Sequence, residues 1–211
     1  MKISYKISKY NRSRKYNYFL KKINPSASDK ILDVGFANNN YAEGINYLEK
    51  NYPYRKNITA LGIGDDSNFK RLFPDVATVL YDGNIFPFSD KSFNIGWSNA
   101  VVEHVGDRER QVLFVKELLR TCDVVFFTTP NKLFPFDLHT KLPIIHWFPK
   151  KYFDKMLHLF GKSWAAGNYM RLLTKRQIVS ICKEAGAASI SVKRNWFLGF
   201  TMDFSIIVKG N

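Results

Sequence analysis

Four short stretches place carboxylates, amides or an imidazole directly behind an apolar run, which is where a parallel sheet gathers polar side chains around a ligand. The first is Asp33-Val34-Gly35-Phe36-Ala37-Asn38-Asn39-Asn40. Gly35 permits a tight turn and a close approach of backbone to ligand, and Ala37 is small enough to leave room for one. The second, Gly62-Ile63-Gly64-Asp65-Asp66, offers acids that can accept hydrogen bonds from ribose hydroxyls. The third is Asp82-Gly83-Asn84, followed by Phe86-Pro87-Phe88, and the fourth runs from Asn99 to Glu103-His104. Each also has a plainer role. Asp33 can cap its own turn, Asp82-Gly83 is an ordinary turn dipeptide, and Glu103 suits the task of orienting its loop.

Two imidazoles are candidates for accepting a proton, since their ordinary pKa lies near neutrality. His139 comes first, in the stretch Thr128–Pro149 with its prolines at 130, 135, 143 and 149, and His104 comes second. A histidine bonded to backbone in a proline-fixed loop is an equally good description of either. Asp137, His139 and His146 lie within one loop and lack a fourth ligand, so no metal is expected. Cys122 and Cys182 stand far apart without metal-type spacing, and no disulfide framework is expected either.

The elements that must hold these groups alternate along the chain. Ile31–Gly35, Ile58–Ile63, Val76–Tyr81, Phe93–Ser98 and Val124–Thr128 read as strands. Helical spacing follows at Tyr41–Lys50, near Phe69–Phe73 and over Arg108–Arg120. Thr174–Ala185 is a further helix, with Thr174 as its N-cap and Gly186 just past its end. Ser189–Val192 and Asp203–Val208 read as an antiparallel closing pair. The expected fold is α/β, a three-layer Rossmann-like arrangement with a seven-stranded, mostly parallel sheet. Residues 1–29 form a basic, aromatic N-terminal arm or irregular helix, and 30–211 form the main domain. Pro130–Met170 is a proline-rich insertion of little periodicity, expected to wall a substrate site. Within it, Trp147–Phe153 reads as a helix start whose aromatics enter the core, with contact at a lipid interface as the alternative.

Taken together, Asp33 with Gly35, Asp82 with Phe86-Pro87-Phe88, Ser92-Phe93-Asn94 and Glu103-His104 resemble, in order and spacing, the class I S-adenosylmethionine-dependent methyltransferases in their small-molecule branch. The resemblance covers residues 30–129 well. It implies S-adenosylmethionine as cofactor, with Gly35 and Ala37 against the methionine part and Asp65 or Asp66 facing the ribose. Asp82 would accept from the adenine amino group beside Gly83 and Asn84, and Asn99 would border the methyl group. Two features depart from the pattern. Ala37 and Asn39 replace glycines of the usual turn, and the acid that ordinarily ends the second strand is displaced to Asp65 or Asp66. The activity implied is methyl transfer to oxygen or nitrogen of a small anionic acceptor that is phosphorylated, sugar-based or lipid-linked. The competing readings are an inactive relative serving as a binding or scaffold protein, and an RNA-directed methyltransferase.

The chain of 211 residues carries 32 Lys and Arg against 18 Asp and Glu, a net charge of +14. That is the size of one basic domain, and it favours anionic partners: a charged acceptor, an anionic membrane face touched peripherally, and less favoured, nucleic acid. The first residues lack the apolar run of a secretory signal, so the expected location is cytoplasmic, at most peripheral to a membrane.

Overall fold

The computed structural model describes residues 2–39, 44–136, 140, 142–167 and 170–210, with only the backbone for 2–7. In chain order the elements are α1 (Lys2–Ile23), β1 (Ile31–Val34), α2 (Tyr47–Asn51), β2 (Ile58–Gly62), α3 (Ser67–Leu72), β3 (Ala77–Leu80), β4 (Phe93–Asn99), α4 (Arg108–Thr121), β5 (Cys122–Pro130), α5 (Lys150–Leu159), α6 (Lys175–Glu184), β6 (Ala187–Phe197) and β7 (Phe200–Gly210). The strands form one sheet in the order β3-β2-β1-β4-β5-β7-β6. β1 pairs in parallel with β2 and β4, β2 with β3 likewise, and β6 and β7 are antiparallel at the edge. Helices lie on both sides. The expected three-layer α/β architecture is the observed one. The order reverses beside β1, so the turn after Val34 sits at the switch point where such sheets receive ligands.

The chain divides into two units, one of residues 1–98 and 120–126, the other of 99–119 and 127–211. In unit 1 the core is aromatic. Trp97 and Phe126 stack with centroids 5.0 Å apart, and Phe19 of α1 meets both edge-on at 4.8 and 5.4 Å. Phe19 is fully buried and Tyr16 nearly so. α1 is thus a regular helix of 22 residues whose Tyr16 and Phe19 belong to this core, while Tyr10 stays exposed.

Unit 2 holds the segment expected to lack periodicity, and here the structure differs. Residues 142–167 and 170–172 fold into a small cap around Ile145, Phe153, Leu157, Ala165 and Met170. Phe153 and Leu157 fall one turn apart on α5 and supply its inward face. The surrounding prolines conceal that spacing. The helix start near residue 150 is as read, but only Phe153 of its aromatics is buried; Trp147, Phe148 and Tyr152 are about half exposed. α6 begins with a full capping box, Gln177 N donating to Thr174 Oγ1 and Thr174 N to Gln177 Oε1. The helix expected from Tyr41 starts at Tyr47, because Asn46 takes a left-handed φ of 50° that a continuing helix cannot contain; residues 40–43 lie outside the described set. β6 and β7 are longer than expected and join through a two-residue turn at Leu198-Gly199.

Candidate functional site

The turn after β1 is built as its sequence requires. Gly35 has φ 97°, a conformation other residues enter at a cost, and its N–H donates to Leu61 O across to β2. Tyr81 N donates to Gly62 O, so the ends of β1, β2 and β3 are fastened to one another. Ala37 is gripped by Asn46, which accepts from its N–H and donates to its carbonyl. Asn38 Oδ1 accepts from Asn68 N and Phe69 N at the start of α3, and its amide donates to Asp65 at 2.7 Å. Asn38 thereby works as a turn fastener.

The two acids after β2 are also engaged. Asp65 accepts from Ser67 N, Ser67 Oγ and Asn38, which hold its carboxyl below the usual range. Asp66 is buried and accepts from Thr78 Oγ1 and Lys70, with the same effect on its pKa. Of the two, Asp65 is the exposed one. At the end of β2 itself, a Cβ on Gly62 would lie 2.5 Å from Cε1 of Phe36, whose ring packs on Phe69 at 4.4 Å. Phe36 therefore occupies the space that an acid at position 62 would need.

Further along the same edge the surface is open. A Cβ on Gly64 would meet nothing within 4 Å, and one on Gly83 only Ile63 Cγ2 at 3.8 Å. Ile63 and Ile85 are both more than half exposed there. Asp82 lies on this rim, where its carboxylate accepts from Asn84 N and Asn84 Nδ2. Bare backbone, two exposed branched aliphatic side chains and a carboxylate are what a flat purine with an exocyclic amine needs. The residues present therefore fit the adenine end of S-adenosylmethionine, while Phe36 fills the space a side chain at position 62 would take and position 64 stays open. Ile63 and Ile85 escaped the sequence reading; their signal is an aliphatic residue just past a strand end, flanked by glycine or asparagine. Arg120 also escaped it. Its guanidinium donates to Phe86 O, Phe88 O and Asp90, and so sets the path of the Phe86-Pro87-Phe88 segment.

Beneath the turn, Asp33 and Glu49 are buried side by side, and burial pushes both carboxyls up, Asp33 well above its ordinary value. Apart from Asp33 itself, neither oxygen of Glu49 has a hydrogen-bond partner among the described residues.

In unit 2, Asn99 Oδ1 accepts from Thr128 Oγ1 at 2.8 Å. Glu103 is buried, accepts from Thr129 Oγ1, and its carbonyl receives Arg171 N; it orients its loop, as the plainer reading had it. His104 is half-buried in the same loop. His139 and Asp137 lie outside the described residues. His146 is buried with Nε2 on Phe134 O at 2.8 Å, and no metal-holding group of His, Cys, Asp or Glu occurs among the described residues. Burial raises both thiols to about 12, which leaves Cys122 and Cys182 as packing residues.

Unit 2 also contains a cavity of about 200 Å³. Arg108, Lys132, Lys150 and Arg171 line it over an apolar floor that includes Phe148, Phe153 and Leu173, and no described carboxylate lines it. Arg108 and Lys150 pair with Glu184 and Asp154. Gln111 holds the wall in place by donating to Val102 O and Arg171 O.

No protein-family model matches this sequence, and no curated protein does. Solved structures do resemble it. A SAM-dependent methyltransferase from Methanosarcina mazei aligns over 88% of this chain and 94% of its own at 18% identity and a TM-score of 0.54. The CurJ carbon methyltransferase aligns with a TM-score of 0.60 at 13% identity, over 95% of this chain and 54% of its own, so this chain spans about half of it. A TehB-like SAM-dependent methyltransferase from Corynebacterium glutamicum gives 0.53 at 12% identity, over 95% and 88%. At these identities the likeness is one of fold.

Proposed function

We propose that this chain is an S-adenosylmethionine-dependent methyltransferase acting on oxygen or nitrogen of a small anionic acceptor. The observation that carries the reading is the open rim of unit 1, where exposed Ile63 and Ile85, uncrowded Gly83 and the Asp82 carboxylate are available to a purine and its amine, on a sheet whose strand order reverses beside β1. Asp65 is the group we assign to the ribose, since it is exposed and ionised. Gly35 and Ala37 keep their assignment to the methionine part, Asn99 to the methyl group, and Gly83 and Asn84 theirs beside the base, while Asp33 is assigned to the cofactor-binding turn it supports from beneath.

When bound, the cofactor supplies an electrophilic methyl group on a sulfonium sulfur. The chain's own task is alignment and exclusion of water, because an in-line displacement gains most from correct placement of donor and acceptor. A base helps where the acceptor is a hydroxyl, and His139, with His104 second, is assigned to that step. Within unit 2, the cavity lined by Arg108, Lys132, Lys150 and Arg171 suits a small anionic molecule, its cations matching a phosphate or carboxylate and its floor an apolar remainder.

Calorimetry with S-adenosylmethionine and S-adenosylhomocysteine tests the reading. Saturable heat for both is expected, and none at millimolar ligand would overturn it. The same titration separates it from the inactive-relative reading.

A further inference from the structure

We propose that the end of unit 2 formed by the cap and the tip of the β6–β7 hairpin docks on an anionic lipid bilayer. The tip is Trp196-Phe197-Leu198-Gly199-Phe200; Trp196, Leu198 and Phe200 are exposed, Leu198 by 81%, while Phe197 is half-buried. Leu198 and Gly199 both have positive φ, 48° and 80°. Asparagine or aspartate followed by glycine is the ordinary choice for such a turn. Leucine at the first position costs conformational energy and exposes an aliphatic side chain, so folding alone gives no reason for it.

The cap rises from the same end. At its root, Asn131 N donates to Met202 O and Asn131 Nδ2 to Thr201 O, just behind the tip. α5 turns Phe153 and Leu157 inward, and at 100° per residue Lys151, Tyr152, Lys155, His158 and Leu159 share an outward arc of roughly 120°. All five are exposed, Leu159 by 81%. Trp147 and Trp164 on the flanking turns are about half exposed as well. Tryptophan, tyrosine and leucine among lysines form the composition that settles at a headgroup boundary, the rings at the interface and the ammonium groups reaching to phosphate.

Charge selects the occupant. Residues 131–202 contain twelve Lys and Arg against three Asp and Glu, and the two described acids are held by Lys150 and Arg108. A second copy would bring the same excess of nine positive charges against itself. A nucleic acid would neutralise the cations and leave Leu159 and Leu198 facing phosphates and water. An anionic bilayer satisfies both the cations and the aliphatic side chains. The contact is peripheral, since no described helix is long and apolar enough to cross a membrane.

The inference does not depend on the methyltransferase reading, and the test keeps them apart. The whole protein is sedimented with vesicles of phosphatidylcholine alone and of equimolar phosphatidylcholine and phosphatidylglycerol. Binding to the anionic vesicles should be tighter by about tenfold or more, with a blue shift from Trp147, Trp164 and Trp196 while Trp97 stays buried in unit 1. Lys151→Glu with Lys155→Glu should remove the anionic preference. Leu159→Ser with Leu198→Ser should weaken binding by about tenfold, and neither pair should move the melting temperature or the affinity for S-adenosylhomocysteine. Equal sedimentation with both vesicles, or none, overturns the proposal. So does a concentration-dependent dimer abolished by the two serines, or RNA that displaces the protein from vesicles at lower concentration than the vesicles themselves require.

Discussion

Unit 1 closes its strand ends with side chains bonded to one another, Asn38 to Asp65 and Asp66 to Thr78, whereas unit 2 leaves Trp147, Tyr152, Leu159 and Leu198 in solvent, with exposed Lys151 and Lys155 on the same helix as Tyr152 and Leu159. The first arrangement suits a ligand of fixed shape met by a preformed surface, which avoids ordering costs on binding. The second suits a partner whose surface is broad and adaptable. In unit 1 a substitution removes something that other groups rely on; on the outer face of unit 2 it removes only what a partner would touch.

Stability gives the widest separation. Phe19→Ala empties a fully buried position between Trp97 and Phe126 and should cost about 3–5 kcal/mol, lowering the melting temperature by about 10 °C or more. Leu159→Ser on the outer face should stay within about 0.5 kcal/mol. Equal shifts in thermal unfolding would erase the distinction and would free residues 1–29 to be a separable arm. Asp82→Ala comes next. It should leave the fold intact and weaken cofactor binding by roughly 10–100-fold, the worth of a hydrogen bond to a charged group, as read by calorimetry; unchanged affinity would remove Asp82 from the adenine site.

The same division governs what could be read without coordinates. The apolar runs of β1 and β4 and the capping residues of α6 are local signals, and each element lies within two residues of its expected bounds. The motif order up to residue 129 likewise marks the ends of β1 to β4 as the site. Three things were not legible because they are contacts rather than patterns. Phe36 over Gly62 joins two strand ends 26 residues apart; Ile63 meets Gly83 across two strands; and Arg120 reaches from the end of α4 to three groups near residue 88. The cap was hidden differently, its two-residue inward face diluted by prolines and by aromatics that stay in solvent.

Phe36 and Gly62 should be exchangeable as a pair. Gly62→Asp alone places a side chain 2.5 Å from the Phe36 ring and should destabilise the protein. Phe36→Ala with Gly62→Asp opens room for a carboxylate at the end of β2 and should tighten S-adenosylhomocysteine binding by about tenfold, or about 1.4 kcal/mol. A double variant that binds no better than the parent would mean that Asp65 already performs the ribose contact in full.

The smallest effect expected concerns the buried pair beneath the turn. Burial raises Asp33 and Glu49 above their ordinary values, so between about pH 4, where both would titrate in an unfolded chain, and their raised values the folded protein holds more protons than the unfolded one. Stability must then fall as pH climbs through that window. Glu49→Gln removes one of the two titrating carboxyls from a buried site where, Asp33 apart, its oxygens have no described partner. It should raise the melting temperature at neutral pH by a few degrees, about 1 kcal/mol, and flatten the decline seen between acid and neutral pH. Thermal unfolding over that range decides it. A variant whose pH slope matches the parent's would show that these carboxyls do not titrate together, and that the polar floor of unit 1 is as indifferent to substitution as the outer face of unit 2.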